Sequence, residues 1–395
     1  MSYRIIDEGH VSTPQGYRAT GVSCGLKEVK ARDLAMVYSA KPARVAAIFT
    51  TNTISAAPIF FNQAVLARNR ESLRAVVINA GHANVATGSQ GLANAVECAK
   101  MSADELEVPR DSVLLLSTGR IGLSLPMEKM REGIRRAASE LDSGGGRRAA
   151  TAILTTDTRP KDSAISVSLR EGRSIVIGGM AKGSRMVYPR QGTLLCVLTS
   201  DVAIDGRLLS RSLEQAVAGS FGRLALDSDI SPNDGILLFA NGASDVPMIT
   251  DASSWEYGAW QEGLDAICAD LAVQVARDSL AGGKLIQIHV RSAADEQQAQ
   301  KIAHAISRSA AVRWACAQNI ADWGSILVAV GASGADLRPD LLEIRLGNVL
   351  VLREGVAEPF DTAAAVQALS GAEIELTVEL HLGTHAASVW TGTAE

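Results

Sequence analysis

Aromatic residues are scarce in this sequence of 395 residues, because Phe, Trp and Tyr together make up only 4% of it. A core of ordinary size must therefore be built from Ala, Val, Leu and Ile. The sequence also lacks a basic block or a basic stripe interleaved with aromatics, and its formal net charge is −5. A surface that follows nucleic-acid phosphates is not supported, so we expect no nucleic-acid partner.

Cysteine pairs and long apolar runs are also missing. Five cysteines lie far apart without a CxxC pair, which argues against a zinc knuckle or a disulfide framework and predicts buried thiols in a reducing cytoplasm. No carboxylate-histidine cluster and no GxGxxG pattern is visible, so we expect no metal and no cofactor. No apolar run reaches the roughly 18 residues of a membrane span, and the N-terminus lacks a signal-peptide pattern. We therefore expect a cytoplasmic protein without a membrane partner.

Short β-rich runs alternate with Ala-rich helical stretches, which predicts an α/β or α+β fold. The predicted strands are Val45–Thr50, Arg74–Asn79, Ser112–Ser117, Ser163–Ser168, Ser174–Ile177, Leu194–Thr199 and Gly235–Ala240. The predicted helices are Gly91–Leu106, Pro126–Leu141, Gly206–Ser220 and Ala259–Ser279. After Gly282-Gly283 the pattern predicts a strand over Lys284–Arg291 and a helix over Asp295–Ser307. We expect two domains, over residues 1–280 and 281–395.

One junction stands out for its chemistry. Thr193 directly follows Gly192 and precedes the apolar run Leu194–Leu198. A threonine at the start of a buried strand, behind a residue without a side chain, is well placed to attack the preceding carbonyl. An N-to-O acyl shift and hydrolysis would leave Thr193 with a free α-amine, of pKa about 7.7 to 8.0, as a base for its own hydroxyl. Composition alone favours the alternative, an ordinary Gly-Thr junction before a strand.

Several short motifs follow one another in a fixed order along the chain. They are Asn79–Asn84 with Thr87-Gly88, Ser117–Gly122, Leu154–Lys161, Gly178–Ser184, Tyr188–Thr193, Ser231–Asp234, Ala240–Gly242 and Asp322–Gly324. In this order they resemble the ornithine acetyltransferase family, also called the bifunctional glutamate N-acetyltransferases. The resemblance covers nearly the whole chain.

The resemblance implies a fold and a reaction. The fold is an αββα sandwich of the self-processing N-terminal-nucleophile type over residues 1–280, with a small α/β domain over 281–395. The chain is expected to cleave itself between Gly192 and Thr193, and to assemble as a heterotetramer of two cleaved chain pairs. Thr193 would then carry the acetyl group in a ping-pong reaction from N2-acetylornithine to glutamate, without acetyl-CoA. The expected partners are small-molecule amino acids.

The resemblance also assigns the other site residues. Thr118 and Gly119 match the oxyanion-hole positions, where N–H groups and a hydroxyl face a developing negative charge. Thr155 and Lys182 match substrate-binding positions, together with Thr193. Local sequence context alone leaves structural alternatives open, in which these residues have no role in catalysis or binding. These are a strand-to-helix turn at Thr118-Gly119, a turn or edge strand at Thr155 and a solvated side chain at Lys182.

Four polar residues near these motifs are weaker candidates. Asn79, Asn84 and Asn233 would support the same pocket, although each is more often a turn residue. His82 stands where the family pattern has asparagine, so we interpret it as turn chemistry rather than as a general base.

Three departures from the family pattern indicate a diverged paralogue with altered substrates. Leu280 occupies the position of a glutamate, and a leucine cannot bind the α-amine of a substrate. Ser325 follows Asp322-Trp323-Gly324 where the family has a positive charge. The asparagine and threonine of the family's C-terminal tail have no counterpart before Glu395.

Two other functions remain open from the sequence. One is an amidohydrolase or aminopeptidase on the same scaffold, with water as the acyl acceptor. The other is an unprocessed, non-catalytic paralogue that binds or scaffolds, whose chain would stay in one piece.

Overall fold

The computed structural model describes residues 2–28, 31–183, 193–225, 230–280 and 283–393. The chain forms two compact units. The first consists of Met1–Phe221 and Ile230–Val275, and the second of Gly222–Asp229 and Ala276–Glu395. Each unit is described by itself below.

The first unit contains a mixed sheet whose described strands number nine. Its strands are β1 (Tyr3–Ile5), β2 (Tyr17–Val22), β3 (Leu34–Phe49), β4 (Leu73–His82), β5 (Val113–Arg120), β6 (Lys161–Ser168), β7 (Ser174–Lys182), β8 (Leu195–Ser200) and β9 (Gly235–Ala240). Its helices are α1 (Ala57–Arg68), α2 (Gly88–Leu106), α3 (Met127–Ser139), α4 (Gly146–Ala152), α5 (Gly206–Ala218) and α6 (Trp255–Ser279), whose last residues belong to the second unit.

The long strand β3 divides the sheet into two layers. Its first half, beginning at Leu34, pairs with β2 and β4, whereas its second half, Arg44 to Phe49, pairs with β9. One layer is therefore β2-β3-β4-β5 and the other is β1-β6-β7-β8-β9-β3. The layers bury a shared apolar cluster, to which Ile78 and Leu116 contribute from one layer and Val197 and Leu237 from the other. The removal of this apolar surface from water holds the layers face to face.

A helical layer covers each outer face. Helices α2 and α3 pack on the first layer, where Cys98 and Ile134 join Val77 in a second apolar cluster. Helix α6 lies so close to the other layer that a Cβ on its Gly263 would come within 2.4 Å of the Val167 side chain. Likewise, a Cβ on Gly179 of β7 would come within 2.8 Å of Leu271. This arrangement is helix, sheet, sheet, helix, so the αββα prediction is confirmed.

The second unit is built on a six-stranded sheet of order β13-β12-β11-β14-β10-β15. Its strands are β10 (Leu285–Ala293), β11 (Glu343–Leu346), β12 (Val349–Arg353), β13 (Val356–Ala357), β14 (Glu373–Glu379) and β15 (His385–Gly392). Its helices are α7 (Glu296–Arg308), α8 (Ala310–Ala317), α9 (Trp323–Gly331) and α10 (Thr362–Ser370). Alternate residues of β10, such as Ile286 and Ile288, enter its core beside Ile302 of α7. None of the helices described is both long and apolar enough to cross a membrane.

Each strand and helix predicted from the sequence overlaps an observed element, and the differences have local causes. The strand predicted to stop at Ile177 continues to Lys182 as β7. Gly178-Gly179 looks like a strand end because glycine lacks a side chain to pack. In the fold, however, the side chains of Leu198 and Leu271 leave no room for a Cβ on Gly179. Among the described elements, the helices α1, α4, α8, α9 and α10 and the strands β1, β2 and β11 to β15 were not predicted.

Candidate active site

Two parallel strands end side by side at one edge of the first layer. Strands β4 and β5 pair in parallel, with Gly81 opposite Gly119 and Ala80 opposite Thr118. Both glycines have positive φ, +126° at Gly81 and +133° at Gly119. A Cβ on Gly119 would lie 2.2 Å from the carbonyl carbon of Gly81. Only glycine fits there, so the backbones approach closely immediately after Thr118.

Amide side chains tie this edge to the turn Ser231–Asp234. The Asn233 amide donates to the carbonyl oxygens of Ser117, at 2.9 Å, and Ala83, at 2.7 Å. The Ser117 hydroxyl donates to the Asn79 amide oxygen at 2.6 Å. Asn79 and Asn233 are therefore structural supports beside Thr118. Asn84 instead has a φ of +53° and donates to the Gly91 carbonyl inside α2.

The same turn contacts Thr193. The Thr193 Oγ1 and Ser231 Oγ atoms are 3.0 Å apart, and both residues are buried. The Leu194 N–H donates to Asp234 Oδ1 at 2.8 Å, immediately before β8 begins. Burial raises the pKa of Asp234 to about 6, although the Leu194 N–H and the charge of Lys182 oppose this. Gly192, the other residue of the expected cleavage junction, lies outside the described residues.

Lys182 ends β7 with a side chain that is fully buried. Its ammonium donates to Thr155 Oγ1 at 2.9 Å and lies 3.5 Å from Thr118 Oγ1. Burial lowers the pKa of Lys182, and the nearby Asp157 carboxylate counteracts that fall. The alternative of a solvated lysine is therefore wrong. Three residues separated along the chain, Thr118, Thr155 and Lys182, meet at one point.

A buried carboxylate stands behind this meeting point. Asp157 Oδ1 accepts from Lys161 Nζ at 2.7 Å and from the Gly183 N–H at 2.9 Å. Its Oδ2 accepts from the Thr155 N–H at 3.2 Å and lies 3.5 Å from Lys182 Nζ. Burial alone would raise the pKa of Asp157, but the charges of Lys182 and Lys161 lower it to about 2.

Asp157 and Lys161 were missed as site residues, although both belong to a motif that carried the resemblance. The sequence contained one signal for these two residues, because an acid lies four residues before a lysine in a segment where no helix was expected. The histidine beside the site, His82, has its pKa lowered by burial and by Lys129 and Arg120. Among the described residues no group of His, Cys, Asp or Glu side chains is arranged to hold a metal ion.

The candidate residues of the first unit therefore form a connected site. Lys182 links Thr118 to Thr155 by direct contacts, and Gly119 adjoins Thr118. Thr193 joins them through Ser231 and the Ser231–Asp234 turn, whose Asn233 amide binds the carbonyl of the residue before Thr118. A hydroxyl nucleophile, two hydroxyl donors and a buried ammonium suit acyl transfer.

Two departures from the family pattern lie in the second unit. Leu280 is buried, and a Cβ on Gly392 of β15 would come within 2.5 Å of its Cδ2. The Leu280 carbonyl also accepts from the Gly283 N–H at 2.7 Å. Ser325 lies in the first turn of α9, where its hydroxyl donates to the Asp322 carbonyl at 2.7 Å. Both residues have structural roles within their own unit.

Leu280→Glu is expected to destabilise the protein by about 3 kcal/mol or more, because it buries a carboxylate in an apolar contact. Urea unfolding of the variant and the wild type at neutral pH measures the difference. The control is Leu280→Met, which conserves volume and should cost less than about 1.5 kcal/mol. Equal stability of the glutamate variant and the wild type would show that the side chain reaches solvent or a ligand.

Comparison with known proteins places this chain in a family. The sequence model of the ArgJ family matches residues 18–393. The arginine biosynthesis bifunctional protein ArgJ of Gloeobacter violaceus is 38% identical over 375 residues, covering 95% of this chain and 91% of that protein. The protein of the same name from Symbiobacterium thermophilum is 38% identical over 387 residues, covering 97% of this chain and 94% of that protein.

A solved structure is also similar. The ornithine acetyltransferase of Mycobacterium tuberculosis, complexed with ornithine, is 36% identical in a match that covers 49% of this chain and 99% of that chain, with a TM-score of 0.44. The family assignment depends on the sequence relatives, because they exceed 30% identity over almost their full lengths. The resemblance seen in the motifs is confirmed, and the chain belongs to the ArgJ family.

Proposed function

We propose that this chain is a self-processing N-acyltransferase of arginine biosynthesis. It moves an acetyl group from an N-acetylated amino acid, such as N2-acetylornithine, to glutamate or another amino acid. Membership of the ArgJ family supports the reaction class. The observation that carries the proposal is the buried Lys182 ammonium between the Thr155 and Thr118 hydroxyls. The proposed enzyme acts in the cytoplasm, as a heterotetramer of two cleaved chain pairs, with its acyltransferase domain in residues 1–280.

The proposed self-cleavage begins at Thr193. Its Oγ attacks the carbonyl carbon of Gly192, the C–N bond breaks, and the acyl group passes from nitrogen to oxygen. Water then hydrolyses the ester, which leaves a carboxylate on Gly192 and a free α-amine on Thr193. The buried position of Thr193 and the contact of its hydroxyl with Ser231 support this role, because they hold the nucleophile in one orientation.

The proposed transfer uses the same nucleophile. The Thr193 α-amine takes the hydroxyl proton as Oγ attacks the acetyl carbonyl of the donor, and that proton leaves with the donor's amine. The Thr118 hydroxyl and the Gly119 N–H stabilise the oxyanion, where losing one donor typically costs about 3 kcal/mol. The amine of the second amino acid then attacks the acetyl ester of Thr193, the bond between the acetyl carbon and Oγ breaks, and Oγ takes back a proton through the α-amine. Lys182 and Thr155 bind polar groups of the substrates.

Intact-mass spectrometry of the purified protein tests the processing step. Cleavage before Thr193 should divide the 41.5 kDa chain into nearly equal pieces, one of which has a threonine N-terminus. Product analysis tests the transfer step, since N-acetylglutamate should form from N2-acetylornithine only when glutamate is present. Free acetate formed equally with and without glutamate would favour the amidohydrolase alternative. A chain that stays whole and inactive would favour the non-catalytic alternative.

Ser231→Ala is expected to slow both self-cleavage and transfer about tenfold. The variant removes the hydroxyl 3.0 Å from Thr193 Oγ1, and one such hydrogen bond is worth about 1 to 1.5 kcal/mol. The fraction of cleaved chain over time and the rate of transfer by the mature protein measure the two effects. The matched control is Ser212→Ala, which removes the acceptor of the Trp260 indole in the same unit. A Ser231→Ala protein as fast as the control would remove Ser231 from the site.

An altered substrate preference of this chain also stays a prediction. If Leu280 replaces a substrate-binding carboxylate, kcat/KM for N2-acetylornithine should be at least tenfold below that of a relative with the acid, because a charge-assisted hydrogen bond contributes about 1.5 to 3 kcal/mol. Parallel transfer kinetics with glutamate on the two proteins measure this difference. Equally efficient turnover by the two proteins would contradict the altered substrate preference and indicate an ordinary role in arginine biosynthesis.

A further inference from the structure

We propose that Asp157 is a positioning residue of this enzyme, whose carboxylate holds the Lys182 ammonium against the hydroxyls of Thr155 and Thr118. The inference rests on the proposed function, because it assigns a role within the same site. It goes further in naming a residue that touches neither nucleophile nor acyl group.

The contacts of Asp157 hold both the ammonium of Lys182 and the backbone that follows this lysine. One oxygen faces Lys182 Nζ at 3.5 Å and accepts from the Thr155 N–H at 3.2 Å. The other accepts from Lys161 Nζ at 2.7 Å and from the Gly183 N–H at 2.9 Å. The carboxylate therefore binds the ammonium, the backbone immediately after the lysine, and the backbone of the threonine that the ammonium contacts. A neutral side chain of the same shape cannot bind two ammonium groups in this way.

Burial makes this charge necessary. The side chains of Asp157, Lys161 and Lys182 are all fully buried, and a lysine without an anionic partner in such a place tends to lose its proton. Three other charged groups act on Lys182, and one of them, Lys161, opposes its ammonium. Asp234 favours its ammonium from the turn before β9, and Lys27, in the loop after β2, is repelled by it. Asp157 is the largest favourable charge acting on Lys182, ahead of Asp234.

The expected consequence has a definite sign. Asp157 stabilises the protonated form of Lys182, so its removal lowers the pKa of the ammonium. If transfer requires a charged Lys182, activity falls as the pH rises. In a variant without the Asp157 carboxylate, this fall should occur at a lower pH than in the wild type. A purely structural acid would change the yield of folded protein but would leave the pH profile of the folded fraction in place.

Asp157→Asn tests the proposal because it keeps the shape of the side chain and removes its charge. We expect kcat/KM at neutral pH to fall at least about tenfold, with the alkaline limb of the profile moved down by about one pH unit or more. NMR titration of the Lys182 Nζ signal in Thr193→Ala protein, with and without Asp157→Asn, should show the same shift. An unchanged Lys182 titration together with a wild-type profile would overturn the proposal.

A second variant guards against a failure to fold, since Asp157→Asn removes a carboxylate that faces two buried lysines. Asp157→Asn combined with Lys161→Gln removes one positive and one negative charge, so the net charge of the cluster is unchanged. Because the loss of Lys161 also removes a charge that repels the Lys182 ammonium, the alkaline shift should be smaller than in the single variant, and a folded double variant that keeps part of the shift supports the proposal. Full recovery of activity and of the wild-type profile would mean that Asp157 only neutralises Lys161, which overturns it.

The matched control is Asp162→Asn, one residue beyond Lys161. Asp162 is also largely buried and pairs with Arg147 at 2.7 Å, outside the site. Loss of the Asp162 carboxylate should leave the pKa of Lys182 unchanged. If Asp162→Asn shifted the pKa of Lys182 as much as Asp157→Asn does, the shift would be a general effect of charge. That result would contradict the positioning role of Asp157. The Lys182 titration tests this proposal even if the chain performs no transfer. Failure of this proposal can therefore be distinguished from failure of the proposed function.

Discussion

Thr193→Ala is expected to leave a single chain of 41.5 kDa and to reduce acetyl transfer at least about 10³-fold. The variant removes the oxygen atom that bonds to the acetyl group in the proposed acyl-enzyme, and the same atom starts the proposed self-cleavage. Intact mass and the rate of N-acetylglutamate formation measure the two effects. Among the residues that the structure describes, the hydroxyl of buried Thr193 makes one hydrogen-bond contact, to Ser231, so the variant should remain folded.

Thr193→Ser is the matched control, because it keeps a hydroxyl and removes only a methyl group. We expect slower cleavage and slower transfer, since the serine hydroxyl has more rotational freedom. Alanine and serine variants that are equally active would remove Thr193 from the mechanism. A serine variant that cleaves while the alanine variant does not would link processing to the hydroxyl itself.

Gly119→Ala is expected to destabilise the protein by about 3 kcal/mol or more, or to displace the end of β5 and lower transfer at least about 100-fold. A Cβ at this position would lie 2.2 Å from the Gly81 carbonyl carbon and 2.6 Å from the His82 nitrogen. Both neighbours are backbone atoms of β4, so neither can rotate away. The displaced backbone would carry the Gly119 N–H and Thr118 out of the oxyanion position. Urea unfolding and transfer kinetics measure the two outcomes.

Gly122→Ala separates crowding from backbone strain. Gly122 also has a positive φ, +83°, but a Cβ there would meet no atom within 4 Å. The substitution should therefore cost only the conformational penalty, about 1 kcal/mol, with transfer near the wild-type rate. Equal effects of the two alanine substitutions would contradict the close approach of β4 and β5.

The sequence by itself determined the elements whose signal is local. The strand Gly235–Ala240 was predicted with its observed bounds, because it is an apolar run buried on both faces. The helix of the second unit predicted over Asp295–Ser307 agrees within one residue with α7, since Asp295 caps its first turn. The order of motifs also indicated the family, without reference to any contact.

Long-range contacts decided the rest of the fold. Nothing in the residues of β3 shows that its halves belong to different layers, because that depends on β4 and β9, which are distant in sequence. Leu224 and Ala225 likewise pair with Trp390 of the second unit, although the residues up to Phe221 belong to the first. Such pairings involve closing long loops, and local propensity does not encode which partner is chosen.

Only the tertiary structure decided the state of Lys182. Lysine side chains are usually solvated, and local sequence alone favours that alternative for Lys182. The folded chain instead buries it against Asp157 and Thr155, more than 20 residues earlier. Burial disfavours an ammonium, and the carboxylate of Asp157 counteracts that effect only when both groups are brought within a few ångströms. The sequence contained both residues, but their charge and their joint position are properties of the assembled sheet.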